Sequence, residues 1–134
     1  MESYRSQAES YKSYLVNLGI SEKLAKIAVA QSAHETAGWS SRLYAQQNNL
    51  FGMRAAKVRQ REQLGEVKGY ALYEDVWQSL RDYALYLQSI TVPQLVESSL
   101  SDFIKYLKNR NYYEDSFNNY YSGVASWHSK LWEN

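Results

Sequence analysis

Cysteine is absent from the 134-residue chain, and histidine occurs only twice. Without cysteine there can be no disulfide framework, no thiolate nucleophile and no cysteine-based zinc site. Neither sign of charge is in excess, because 15 basic residues stand against 14 acidic ones. A net charge of +1 gives no positive field that would favour nucleic acid or an anionic membrane, so we expect neither as a partner.

Long apolar runs are missing as well. No stretch approaches the ~20 residues that a membrane span requires. The first residues, MESYR, begin a polar amphipathic segment that has no signal-peptide core. We therefore expect no membrane span and no secretory leader.

Aromatic residues, in contrast, are abundant, with 13 tyrosines and 4 tryptophans. Aromatic rings stack on the apolar faces of sugars, and tyrosine hydroxyls bond to sugar hydroxyls, so this composition suits a glycan groove. The alternative is that tyrosine fills half-buried positions in a small domain. An apolar content of 45% is enough for one core, and we expect a single domain over residues 1–134 that acts as a monomer.

Hydrophobic periodicity predicts five or six helices and one small β-hairpin, a mostly α (α+β) fold. Helical spacing disappears between residues 55 and 73, where we expect a hairpin that turns near Leu64–Gly65. The predicted helices are 4–18, 21–37, 76–90 with Asp75 as N-cap, a short helix from Pro93, 100–107 and 117–131, and residues 40–47 are expected to form a short helical turn.

Glu35 stands out among the carboxylates. A helix of about four and a half turns, with Ser21 as N-cap and Gly38 as the left-handed residue past its end, places Glu35 in the last turn. Burial and the negative end of the helix dipole both disfavour its charged form, which predicts a raised pKa suited to a general acid. The alternative is an ordinary glutamate bent out to water. The face that Glu35 shares is otherwise largely apolar and contains Leu24, Ile27, Ala28 and Gln31.

A zinc site at His34–Glu35 is not supported. The H-E-x-x-H motif needs a second histidine at position 38, which is Gly38, and the other histidine, His128, is far along the chain. We expect His34 to pack locally, and we expect no metal and no other cofactor.

Two strings around Glu35 carry a resemblance to a known family. They are QSAHETAGW at residues 31–39 and NNLFGM at residues 48–53. Together they resemble the signature of bacterial and phage peptidoglycan N-acetylglucosaminidases, lysozyme-like enzymes that include autolysins, flagellar-rod hydrolases and phage lysins. In that pattern a small-residue helix ends in Glu, followed by a small residue, Gly and often an aromatic, and then by Asn-Leu-Phe-Gly. The similarity runs from about residue 25 to about residue 121.

The resemblance implies a lysozyme-like helical domain and a role for each matched residue. Glu35 corresponds to the general acid, while Asn49 and Phe51 shape the loop that floors the cleft beside it. The string NYYED at residues 111–115 is similar to the family's Gly-Tyr-x-x-Asp segment, which implies that Tyr112 lines the cleft, although Asn111 stands where the family has Gly.

Trp39, just after the helix that carries Glu35, has two interpretations. It is either a substrate-binding sugar platform or a packing contact at the end of that helix.

Glycoside hydrolysis usually needs a second carboxylate, and in this family the hairpin typically carries it. Glu62 precedes the predicted turn as the family's hairpin Glu does, so we predict Glu62 as the second catalytic residue. Glu66, Glu74 and Asp75 remain alternatives, and so does the substrate's own N-acetyl group, which needs no second acid. Three basic residues on the same predicted strand either meet substrate carboxylates or solvate an exposed edge: Lys57, Arg59 and Arg61.

The resemblance implies a peptidoglycan hydrolase that cleaves the β-1,4 glycan strand after N-acetylglucosamine. The alternatives are an N-acetylmuramidase, which cuts the other bond, and a non-catalytic glycan-binding or virion structural module of the same fold. We expect action at the bacterial cell wall, and the apparent lack of a leader suggests a phage-encoded or virion-associated protein.

Overall fold

The computed structural model describes residues 2–55, 62–90 and 99–133. Its mostly helical architecture with one small hairpin confirms the predicted fold class. The predicted basic strand of Lys57, Arg59 and Arg61 and the predicted helix from Pro93 lie outside the described residues. The elements are α1 (Glu2–Asn17), α2 (Glu22–Glu35), α3 (Arg42–Gln47), β1 (Gly65–Val67), β2 (Tyr70–Leu72), α4 (Val76–Ile90), α5 (Leu100–Asn109) and α6 (Phe117–Trp132).

Helix α2 is the centre of this arrangement. Ser21 caps its N-terminus as predicted, because the Ser21 side chain accepts a hydrogen bond from the Leu24 amide at 3.2 Å. Most of the helix is buried, and it packs against α1 on one side and α6 on another. Helix α5 packs on α6, and α4 packs on α1, so α1 and α6 join the remaining long helices to α2.

Helix α2 ends two residues earlier than predicted. The helix stops at Glu35 after 14 residues, which is just under four turns. Ala37 and Gly38 both have left-handed backbone conformations, with φ of 51° and 74°, and the Gly38 amide bonds to the Ala33 carbonyl at 2.8 Å. Gly38 is therefore left-handed as predicted, but Ala37 is the first left-handed residue. At Gly38 a Cβ would lie 3.1 Å from the Trp127 ring, so close packing also favours glycine there.

The hairpin turns later than the sequence indicated. Strands β1 and β2 pair antiparallel, with Gly65 opposite Leu72 and Val67 opposite Tyr70. The turn is formed by Lys68 and Gly69, whose positive φ values of 55° and 85° suit a two-residue hairpin loop. The prediction of a turn near Leu64–Gly65 was therefore wrong, since Gly65 begins β1.

None of the helices in the described ranges is both long enough and apolar enough to cross a membrane.

Helices α2 and α6 approach each other closely at His34 and Gly123. A Cβ added to Gly123 would lie 2.2 Å from the His34 ring, well inside the normal contact distance. The same imidazole ring meets Tyr120 edge to face, with centroids 4.9 Å apart. His34 therefore packs against α6 rather than only against its own helix, and Gly123 provides the space for its ring.

We expect Gly123→Ala to destabilise the protein by about 1–3 kcal/mol, because the new methyl group must displace the His34 ring from its contact with Tyr120. Helix propensity alone predicts the opposite sign, a gain of up to about 1 kcal/mol. Denaturant unfolding measures the difference, with Ser122→Ala at the exposed neighbouring position as the control. A Gly123→Ala protein more stable than wild type would contradict the observed packing.

Candidate active site

Glu35 is the last residue of α2 and opens into a surface cleft of about 630 Å³. One wall comes from the hairpin and the loop before it, and the other from the segment between α5 and α6. The residues that line the cleft are His34, Glu35, Leu43, Gly52, Met53, Arg54, Tyr70, Tyr86, Arg110, Asn111, Tyr112, Tyr113, Glu114, Asp115 and Tyr120.

The loop at 48–53 is held in place by Asn49, which is fully buried. The Asn49 amide donates to the carbonyls of Met53 and Ala71, both at 3.0 Å, which joins the loop to strand β2. Its side-chain oxygen accepts from the amides of Phe51 at 3.3 Å and Met53 at 3.0 Å. Asn49 thus determines the shape of the loop from inside and does not reach the cleft surface.

Gly52 brings this loop directly against the Glu35 carboxyl group. A Cβ at Gly52 would lie 3.2 Å from Glu35 Oε1, and the backbone there has φ of 63°. Phe51, fully buried, stacks on Tyr83 with centroids 3.8 Å apart. The loop therefore forms the floor beside Glu35, with Phe51 as an anchor below the surface and Gly52 as the point of contact.

A chain of buried hydrogen bonds extends behind the carboxyl group. The Tyr120 hydroxyl donates to Glu35 Oε2 at 2.7 Å. Gln31 Nε2 donates to the Tyr120 hydroxyl at 3.1 Å, and Gln31 Oε1 accepts from the Tyr83 hydroxyl. Gln31 lies one turn before Glu35 on the same face of α2, so the polar end of the predicted apolar stripe has partners on both α4 and α6.

Burial raises the pKa of Glu35 from its ordinary 4.5 to about 7, and the hydrogen bond from Tyr120 opposes that rise. Burial also raises the pKa values of Tyr83, Tyr112 and Tyr120 well above their usual range. These phenols therefore stay neutral and keep their protons at any pH at which Glu35 titrates.

Tyr112 lies in the cleft wall, and its hydroxyl donates to the Phe51 carbonyl at 2.9 Å. Asn111, where the resembled pattern has Gly, has φ of 60°. Asparagine tolerates this left-handed conformation better than most residues, so it serves the backbone role that glycine would have. The departure from the pattern at this position therefore leaves the local geometry intact.

Trp39 lies in the core and not on the cleft wall. The residue is 6% exposed, its indole nitrogen donates to Ser32 Oγ at 3.0 Å, and its ring packs against Tyr4, Tyr11 and Trp127. The structure therefore favours the packing interpretation of Trp39 over the sugar-platform interpretation, because a buried ring offers no face to a sugar.

Glu62 lies close to strand β1 and points to Arg81, with Oε1 3.5 Å from Arg81 Nε. Its backbone amide donates to Asp82 Oδ1 at 2.9 Å. Glu62 is not one of the residues that line the cleft around Glu35, so the structure does not bring the two predicted catalytic carboxylates together.

The other candidate carboxylates of the sequence analysis are also solvated. Glu66 and Glu74 are exposed, and Asp75 caps α4 by accepting from the Gln78 amide at 2.8 Å. The cleft does contain two further acidic residues, Glu114 and Asp115, both exposed. Asp115 Oδ1 accepts from the Ser116 amide, next to the start of α6.

No group of three or more metal-ligating side chains occurs within the part of the chain that the structure describes. His34 lines the cleft but is half-buried, and burial lowers its pKa against the opposing charge of Asp115.

The sequence analysis did not identify Tyr120 as a site residue, since its spacing in α6 reads simply as core. Gln31 was named in the sequence analysis only as a member of the largely apolar helix face that it shares with Glu35. A usable signal was present, because two polar residues four positions apart on one buried helix face need partners from another element. A buried tyrosine is the kind of partner that such a pair requires.

A family model described as "Glucosaminidase: Mannosyl-glycoprotein endo-beta-N-acetylglucosaminidase" matches residues 8–133 of the chain. No curated protein and no solved structure matches significantly. The family match extends beyond the two strings of the sequence analysis and includes every element described above except the first residues of α1.

The raised pKa of Glu35 predicts a pH-dependent gain in stability for Glu35→Gln. Between 4.5 and about 7 the folded protein holds a proton that the unfolded chain releases, so the unfolding free energy falls as the pH rises through that window. We expect Glu35→Gln to be more stable than wild type by about 3 kcal/mol at about pH 8 and nearly equal to it at about pH 4.

Urea unfolding at the two pH values measures this difference, with Glu9→Gln, an exposed residue of α1, as the control. An equal effect of Glu35→Gln at both pH values would contradict the burial of a titrating carboxyl group.

Proposed function

This chain belongs to the glucosaminidase family and is a glycoside hydrolase with endo-β-N-acetylglucosaminidase activity, and on that premise we propose that Glu35 is its general acid. One observation carries the proposal: a carboxyl group largely withheld from water opens into the cleft and has a pKa of about 7. Such a group is still protonated in mildly acidic to neutral solution, which is the form that a general acid needs.

In the proposed reaction, Glu35 gives its proton to the glycosidic oxygen as the bond from that oxygen to the anomeric carbon breaks. The leaving sugar departs as an alcohol, and positive charge develops at the ring that remains. Glu35, now a carboxylate, takes a proton from the water that completes hydrolysis at the anomeric carbon. The acid is thereby regenerated, and no net proton is consumed.

The substrate that the family supports is the glycan strand of peptidoglycan, which places the action of the protein at the cell wall. The cleft is open along the surface and is lined by tyrosine and arginine side chains, including Tyr70, Tyr86 and Arg54. Tyrosine rings and hydroxyls suit sugar faces and sugar hydroxyls. Tyr112, Asn49 and Phe51 contribute to substrate binding in this proposal, Tyr112 from the wall and the other two by shaping the floor.

Two routes can supply the second group of the reaction. Glu62 stays the prediction for a second carboxylate, and to act it must leave its ion pair with Arg81 and approach the cleft. The acetamido oxygen of the substrate is the other candidate, since it can attack the anomeric carbon internally and needs no protein carboxylate.

We expect Glu35→Gln to lower the rate of peptidoglycan cleavage by about 10²–10⁴-fold, because an amide cannot donate the proton. Zymography and release of reducing ends from purified cell wall measure the loss, with Glu9→Gln as the matched control. In wild type, kcat should fall as the pH rises through about 7, where Glu35 loses its proton. Full activity of Glu35→Gln would refute the proposal.

Analysis of the products distinguishes the possible activities. Reduction of the new ends followed by mass spectrometry should give reduced N-acetylglucosamine, whereas reduced muramic acid would indicate an N-acetylmuramidase. A mannosyl glycoprotein, the substrate named in the description of the family, serves as a parallel substrate. Binding of glycan without cleavage by either wild type or Glu35→Gln would favour the non-catalytic module.

For Glu62→Gln, a role as second carboxylate predicts a fall in kcat of about 10²-fold or more at every pH. An assay of the variant with purified peptidoglycan measures this fall, and Arg81→Gln is the companion variant that frees Glu62 from its ion pair. Retention of wild-type kcat by Glu62→Gln would instead favour participation of the acetamido group.

A further inference from the structure

The hydrogen-bond chain behind Glu35 has a fixed direction. Tyr83 donates to the oxygen of Gln31, so the Gln31 amide nitrogen faces Tyr120 and donates to its hydroxyl. Because the Tyr120 hydroxyl accepts this hydrogen bond from Gln31, its own hydrogen can point to Glu35, and it donates to Oε2 at 2.7 Å. The order is therefore Tyr83 to Gln31 to Tyr120 to Glu35.

We propose that Tyr120, oriented by Gln31 and Tyr83, is a positioning residue that keeps the transferable proton of Glu35 on Oε1. The proposal rests on the role of Glu35 as general acid. Oε2 already accepts the Tyr120 proton, so a second proton on that oxygen would lie close to the first and is disfavoured relative to one on Oε1. Oε1 is the carboxyl oxygen nearer Gly52, 3.2 Å from where a Cβ would be, compared with 3.8 Å for Oε2.

The rigidity of this chain comes from stacked rings on both sides. Tyr120 stacks on Tyr113 with centroids 3.7 Å apart and an interplanar angle of 5°. Tyr83 stacks on Phe51 in the same manner, at 3.8 Å and 6°. Each phenol can rotate its hydroxyl hydrogen but not its ring, and Gln31 is fully buried between them. The orientation of the hydroxyl is thus the main remaining freedom, and the Gln31 amide removes it.

A donor and an acceptor at Tyr120 have opposite effects on Glu35. A hydroxyl that donates to Oε2 stabilises the carboxylate, so its removal raises the pKa of Glu35. A hydroxyl that accepts from a protonated Oε2 stabilises the acid, so its removal lowers the pKa. The sign of the change in Tyr120→Phe therefore reports the direction of the chain.

Other titratable and charged groups line the same cleft as this carboxyl group. His34 precedes it on α2, and the cleft walls contribute Arg54, Arg110, Glu114 and Asp115. These groups remain in every variant proposed here, so a difference between variants reflects the phenol that was changed.

The experiment is a carbon-13 NMR titration of the Glu35 carboxyl carbon, assigned by its loss in Glu35→Gln. We expect Tyr120→Phe to move the midpoint upward by about one pH unit, with the stacked ring retained. Tyr83→Phe should also move it upward, by less, because it frees the Gln31 amide to turn but leaves the Tyr120 hydroxyl beside Glu35 in place. The alkaline limb of kcat/KM should move with the NMR midpoint in both variants.

Tyr11→Phe is the control, since Tyr11 is a buried tyrosine of α1 that lies outside the cleft and whose hydroxyl accepts from Gln7. Its Glu35 midpoint should equal that of wild type. An unchanged or lowered midpoint in Tyr120→Phe would overturn the inference. That outcome is separate from failure of the proposed function, which would appear as activity in Glu35→Gln whatever the titration shows.

Discussion

The structure around the cleft depends on one constraint, which is that the Glu35 carboxyl group is kept largely out of water at the end of a buried helix. Its charged form is disfavoured there by lost hydration, and the negative end of the α2 dipole adds a smaller penalty of about 0.3–1 kcal/mol. Gly52 makes the enclosure possible, because any side chain at that position would meet the carboxyl oxygen. Asn49 then holds the loop closed with four hydrogen bonds, all to backbone groups.

The aromatic excess of the composition has a structural use as well as the proposed role in binding sugar. Two stacked ring pairs, Phe51–Tyr83 and Tyr113–Tyr120, bring phenol hydroxyls from α4 and α6 to the buried face of α2. Each hydroxyl is needed, because a buried polar group without a partner costs about 1–3 kcal/mol. Among the described residues, every buried side-chain nitrogen or oxygen has a hydrogen-bond partner.

The acidic residues of the cleft lie in two kinds of environment. Glu35 is enclosed and has a raised pKa, whereas Glu114 and Asp115 are exposed at the rim. Glycoside hydrolases commonly need one carboxyl group that keeps its proton and another group that stabilises positive charge. In our proposal Glu35 meets the first need, because its burial keeps the proton on the carboxyl group. The second role is left to Glu62 or to the acetamido group of the substrate.

The sequence alone determined the helices, most of their ends and the place of Glu35 on the buried face of α2. Those features follow from local rules: apolar spacing, the Ser21 cap, and the Asp75 cap of α4. The hairpin register was not local, because Lys68–Gly69 is a less characteristic turn than Asn-Gly and backbone pairing with Met53 helps to fix β2. Only the tertiary structure decided that Tyr120 reaches Glu35 across 85 residues, that Trp39 is buried, and that Glu62 turns to Arg81. A helix pattern shows which face is buried, but which side chain of another element lies opposite is determined by how the helices pack.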